Sequence, residues 1–118
     1  MTTHTSIQHL NDDERERFTA TVELIGKRWS AGILVAIAND AHRFGEIANV
    51  VSGLSDRLLA QRLRELEIAE LVTREVIPTT PVQVRYHLTE SGADLLRAME
   101  PVIEWGQRWR PTPTPVGR

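Results

Sequence analysis

The sequence predicts a mainly α-helical fold carrying one small β-hairpin, an α+β arrangement within a single domain. Two observations carry this reading. Apolar residues recur at spacings of three and four over several separate stretches, the period of a helix with one buried face. Near residue 80, two short runs rich in β-branched residues alternate apolar and polar positions on either side of "PTTP", the pattern of paired strands. A length of 118 residues suits one domain, and a domain of this size can bury a core without the disulfides that a cysteine-free chain lacks.

Residues 1–10 read as a flexible lead, and the folded domain is expected over 11–110. "NDDERERFTATVELI" begins with acids that suit a helix N-terminus, and Phe18, Val22 and Ile25 then recur at helical spacing. Gly26 is a natural stop, with Lys27 and Arg28 beside it. "SAGILVAIAND" (30–40) is apolar nearly all round, which marks a helix buried in the core, with Trp29 as its anchor. "HRFGEIANVV" (42–51) is a short helix with Phe44, Ile47 and Val51 on one face. "SGLSD" supplies a turn, and Ser55 is the N-cap of a helix running to about Ala69. Strands follow at 71–77 and 82–88. Thr89 then caps a last helix from about Glu90 to Trp109, which Pro101 should kink or split. The tail "RPTPTPVGR" has nothing to pack, so 111–118 is expected to be disordered.

Two helices joined by a tight turn and followed at once by a hairpin describe a winged helix-turn-helix. Stepping about 100° per residue from Ser55 puts Leu58, Leu59, Leu63 and Leu66 within an arc of roughly 140°, the core face. The opposite flank collects Arg57, Ala60, Gln61, Arg64 and Ile68. Arginine can donate two bonds to guanine, glutamine can pair with adenine, and alanine admits close approach to a thymine methyl. The first turns of the second helix are the part of such a motif that reaches base edges. Arg57, Ala60, Gln61 and Arg64 are therefore the candidates for base reading. On an arbitrary helix the same flank would be a solvated surface; the helix-turn-helix context reverses that. Arg62 falls between Leu58 and Leu66, so its head should be paired against the core, with Glu46 as partner.

The net charge of -2 and pI near 6.1 argue against indiscriminate nucleic-acid binding but leave room for a local basic face. Without cysteine there are no disulfides, thiolate metal sites or thiol nucleophiles. No apolar run approaches the length of a membrane span and no signal peptide is evident, so a cytoplasmic protein is expected. His4, His9, His42 and His87 have no metal-ligand spacing, and no carboxylate pair, serine constellation or glycine-rich phosphate loop suggests catalysis. Neither a metal, a cofactor nor an enzyme activity is expected.

"LIGKRW", "HRFGEIA", "GLSDRLLAQRLRELEIAELVTREV", "VRYHLTESG" and "IEWGQRW" occur in the order and spacing of HxlR-type winged helix transcriptional regulators, bacterial and archaeal relatives of the MarR group. The chain resembles that family from about Glu16 to Trp109, most specifically in "L-x-x-RL-x-EL" and "Y-x-LT-x-x-G". The resemblance implies a homodimeric, sequence-specific regulator of double-stranded DNA. Its terminal helices would form the dimer through Phe18, Val22, Val102, Trp105 and Trp109, and "IPTTPVQ" would be the wing. Many relatives carry a cysteine shortly before the first helix; this chain has Glu16, so a thiol switch there is impossible. The wing commonly ends with a basic residue near Gln83, and here the nearest is Arg85, which alternation can turn to the other face.

Lys27, Arg28 and Arg43 precede helices, where side chains and backbone N–H groups hold phosphates. With Ser55 at the helix start and Arg85 in the wing, they make up the phosphate-holding set. Winged helix dimers often enclose a cavity between dimerisation helices and reading heads, and Trp29, Tyr86 and Trp105 are the rings to line one for a small-molecule effector. The competing reading packs these rings into a core or dimer seam. The alternative to DNA binding is a winged helix that engages an acidic protein partner or senses a ligand.

Overall fold

A computed structural model describes residues 6–110. The first five residues of the lead and the tail at 111–118 lie outside the described residues. The lead's remaining residues include a single 3-10 turn at Ile7–His9, held where the Ser6 hydroxyl accepts the Gln8 N–H at 3.3 Å. This part of the lead is thus locally ordered rather than loose.

The elements are α1 (Asp12–Gly26), α2 (Ser30–Ala38), α3 (Phe44–Val50), α4 (Asp56–Ile68), β1 (Val72–Ile77), β2 (Gln83–Leu88) and α5 (Glu90–Trp109). This is a winged helix-turn-helix. The acids at the start of α1 include a reciprocal cap: Asn11 Oδ1 accepts the Glu14 N–H at 2.8 Å, and the Glu14 carboxylate accepts the Asn11 N–H at 2.9 Å. α2 is the hub, as its all-round apolar surface predicts. Ile33, Leu34, Ala36 and Ile37 are buried, and α1, α3, α4, α5 and β2 all pack against it.

The hairpin pairs Val72 with Leu88 through to Ile77 with Gln83, antiparallel. In this register Val72, Val84, Tyr86 and Leu88 share the face toward the core, and Thr73, Glu75, Arg85 and His87 share the other. The free edge of β2 is closed by His42. Its carbonyl accepts the Tyr86 N–H at 2.7 Å, and its imidazole Nδ1 donates to the Tyr86 carbonyl at 2.9 Å. One residue between α2 and α3 thereby ties the wing to the helix-turn-helix.

The seam between hairpin and α5 explains the "LTESG" motif. The Thr89 hydroxyl donates to the Glu70 carbonyl at 2.6 Å and accepts the Gly92 N–H at 2.9 Å. Gly92 is buried against the Leu71 carbonyl so closely that a Cβ would lie 2.2 Å from that oxygen. Beyond it, α5 runs through Pro101 as one helix, so of the two expected outcomes, a kink or a split, the split does not occur. Proline removes the N–H that would reach the Arg97 carbonyl and crowds that carbonyl with its ring. Both residues are exposed, so water can take the missing donor's place.

Candidate nucleic-acid interface

The reading head is built around α4. Ser55 Oγ accepts the Leu58 N–H at 3.1 Å and starts the helix where the sequence places it. Leu59, Leu63 and Leu66 are fully buried and Leu58 half-buried, which fixes the rotation of the helix. Arg57, Ala60, Gln61, Arg64 and Ile68 are consequently all exposed on the opposite flank. Among the described residues, neither Arg57 nor Arg64 takes part in any ion pair. These guanidiniums stand in water, open to an acceptor brought from outside.

Gln61 differs. Its Nε2 donates to Glu65 at 3.4 Å, one turn further on. Glu65 also receives Lys27 Nζ at 3.3 Å and Arg62 Nη1 at 3.2 Å. Partial burial pushes the Glu65 carboxyl upward. Hydrogen bonds from Gln61 and Lys27 and the charges of Lys27 and Arg62 outweigh it, holding the group below its ordinary value and ionised. Arg62 is half-buried with its head paired, but its partner is Glu65 and not Glu46 as expected. Its Nε donates to the Arg28 carbonyl at 3.2 Å. Glu46 is occupied elsewhere, accepting the backbone N–H groups of His42 and Arg43 at 3.0 Å each as the cap of α3. Those two bonds, Arg43 first, lower its carboxyl below the usual range.

The remaining cations sit around this helix. Lys27 is anchored to Glu65, and the Arg28 guanidinium stacks on the Trp29 ring at 4.6 Å. Arg43 Nη2 donates to Gln83 Oε1 at 3.3 Å, so a cation from the N-cap of α3 stands at the wing position where this chain has no basic residue. Arg85 lies opposite Glu75 on the wing's outer face, two pairs in from the turn. Its Nε is buried without a partner, while Glu75 pairs with His87 at 2.9 Å.

Phe18, Val22, Val102, Trp105 and Trp109 are all exposed, Trp109 at 65%. The three rings expected to line one effector cavity do not converge within the chain. Tyr86 is 8% exposed and belongs to the core, because the register turns it inward with Val84 and Leu88. Trp29 borders an open groove of about 620 Å³ with Val35, Val50 and Val51, and Trp105 is not part of its lining. The sequence reading also missed the left-handed backbone of Trp29, with φ 83°, and the contact of its ring with Gly53, whose own φ is 86°. The glycine was readable as a turn signal. A tryptophan at positive φ has no sequence signature.

A capped helix facing solvent with unpaired arginines, backed by a short helix and flanked by a hairpin, is the head that winged helix DNA-binding regulators insert into a major groove. Comparison with known proteins narrows the class: the HxlR-like helix-turn-helix family model matches residues 24–114, and the chain belongs to that family. It is 40% identical over 93 residues to YvaP of Bacillus subtilis, an uncharacterized HTH-type transcriptional regulator, covering 79% of this chain and 86% of that one. Identity to the B. subtilis HTH-type transcriptional regulator YodB is 37% over 93 residues, covering 79% and 83%. The structure of YodB in its reduced form superposes with a TM-score of 0.72 at 34% identity, covering 86% of this chain and 96% of that one. YodB has also been solved diamide-treated and quinone-bound. The chain is a DNA-binding transcriptional regulator. Among the described residues no helix is long and apolar enough to cross a membrane.

Proposed function

We propose that two copies of the chain form a twofold dimer that lays one α4 in each of two successive major grooves of a pseudo-palindromic operator. Arg57, Gln61 and Arg64 read bases, and Ala60 lets the helix approach. Lys27, Arg28, Arg43, Ser55 and Arg85 hold phosphates, with Arg43 and Gln83 acting as one unit at the wing. The observation that carries this reading is the pair of unpaired guanidiniums, Arg57 and Arg64, on the flank opposite the buried leucines.

The dimer is supported by α1 and α5. α1 has no fully buried residue in a single chain, and of its apolar residues only Leu24 and Ile25, near its end, are half-buried, so most of its 15 residues lack the packing that holds a short helix in water. Phe18 and Val22 on α1, with Val102, Trp105 and Trp109 on α5, supply the apolar surface that a second copy covers. The chain acts in the cytoplasm, without catalysis or cofactor. A small-molecule effector, if one is used, binds without covalent thiol chemistry, because the chain contains no cysteine.

Fragments selected from the host genome for binding, then sequenced, identify the operator. Arg64→Ala is expected to lose about 1–3 kcal/mol of discrimination between that operator and random DNA. Equal losses on both would assign Arg64 to phosphate contact instead.

A further inference from the structure

Glu65 is a half-buried anion at the edge of the exposed flank of α4, between the core leucines and Gln61, where it would repel phosphates unless it served the cations and donors around it. It holds three of them at once: Gln61, Arg62 and Lys27. We propose that Glu65 is a positioning residue for base reading, which orients the Gln61 amide before DNA arrives. The proposal rests on Gln61 being a base reader.

A free glutamine amide on an exposed helix face turns about its last bond and presents oxygen or NH2 alike. The Glu65 carboxylate accepts only, so it selects the orientation in which Nε2 points toward it. One amide N–H is used in that bond. The carbonyl oxygen and the second N–H remain, an acceptor and a donor side by side. That is the pair an adenine requires for its N6 amino group and N7. Fixing the amide in advance removes part of the side-chain entropy that binding would otherwise cost.

The carboxylate is itself held from behind. Lys27 reaches it from the end of α1, and Arg62 joins it to the Arg28 carbonyl. Just ahead of α4, the Trp29 ring lies against Gly53, where a Cβ would sit 3.3 Å from Cη2. The three consecutive residues Lys27, Arg28 and Trp29 therefore grip the reading helix both at its entrance and along its length, and Glu65 passes that constraint to Gln61.

The test compares Gln61→Ala, Glu65→Met, Glu65→Gln and the Gln61→Ala/Glu65→Met double variant on the selected operator and on operators substituted one base pair at a time. Methionine keeps the length of the side chain and its helix propensity but removes the acceptor; glutamine keeps an acceptor oxygen. Glu65→Met is expected to lose roughly tenfold in discrimination at the same base pair as Gln61→Ala, with no further loss in the double variant. Glu65→Gln is expected to fall between wild type and Glu65→Met, because its amide can present N–H as well as oxygen to Gln61. A purely structural role would lower operator and random-DNA affinity together and leave discrimination unchanged, and that result overturns the proposal. If Gln61→Ala itself leaves discrimination intact, the base-reading assignment falls and this proposal with it. Nitrogen-15 relaxation of the Gln61 side-chain amide in the free wild-type protein gives a readout that needs no variant to fold. Restricted motion is expected, and free rotation overturns the proposal.

Discussion

A chain carrying Val22→Glu and Val102→Glu is expected to sediment as a monomer and to bind its operator at least about a hundredfold more weakly than the wild type. Both positions are exposed in the single chain and neither contributes to the buried core, so the reading head should keep its fold. Glutamate is also a good helix former, so propensity is not the cause of any loss. What changes is the association. Four carboxylates brought together at an apolar seam must be desolvated or kept apart, and keeping apart is the cheaper outcome. Each α4 then finds its half-site alone, without the high local concentration that a tethered second head provides. The part of α1 ahead of Leu24 should also fray, because no apolar residue there is buried in the single chain, and the helical circular dichroism signal should fall accordingly. Sedimentation and operator titration check both parts. A monomeric variant that binds the operator with undiminished affinity would show that the terminal helices do not assemble the DNA-binding species.

Gly92→Ala is expected to destabilise the fold by about 1–3 kcal/mol, against the ordinary preference of helices for alanine. The added methyl would sit 2.2 Å from the Leu71 carbonyl oxygen, and the neighbour is backbone, which cannot rotate away. Relief requires separating α5 from the start of β1, where Thr89 holds the Glu70 carbonyl at 2.6 Å and its own N–H reaches Leu71 at 3.0 Å. Gly45→Ala in α3 is the matched control. Nothing lies within 4 Å of a Cβ there, so the same substitution should stabilise by about 0.4–1 kcal/mol. Urea melts of the two variants should therefore move in opposite directions. Movement in the same direction would mean that the Leu71–Gly92 contact does not govern the seam.

The reading helix was legible in the sequence because one property decides it. Four leucines fix which side of α4 is buried, and Arg57, Gln61 and Arg64 follow by rotation alone. The Ser55 and Thr89 caps were legible for a similar reason, since a short hydroxyl side chain three residues before a donor acts locally. Arg62 shows where such reasoning ends. A helical wheel gives the face of a side chain but not its reach, and Arg62 bonds to a carbonyl 34 positions away as well as to its near neighbour Glu65. Of the two readings open for Tyr86, effector lining and core packing, its 8% exposure matches the second, and alternation with Val84 and Leu88 already puts it on the apolar face. Pro101 predicts a kink or a split because proline removes a helix hydrogen bond and crowds the turn before it. On an exposed face water makes good that loss. The left-handed backbone of Trp29, at the N-cap of α2, carries no local signal, since tryptophan is not a residue that favours positive φ.

The central claim is that two copies of α4 enter successive major grooves on one side of the DNA. Hydroxyl-radical and methylation footprinting on a selected genomic fragment tests this most directly. Two protected patches of related, inverted sequence are expected, with centres one helical turn apart, about 10–10.5 base pairs or 34–36 Å. A single protected patch, or patches whose spacing puts them on opposite faces of the duplex, would contradict the account.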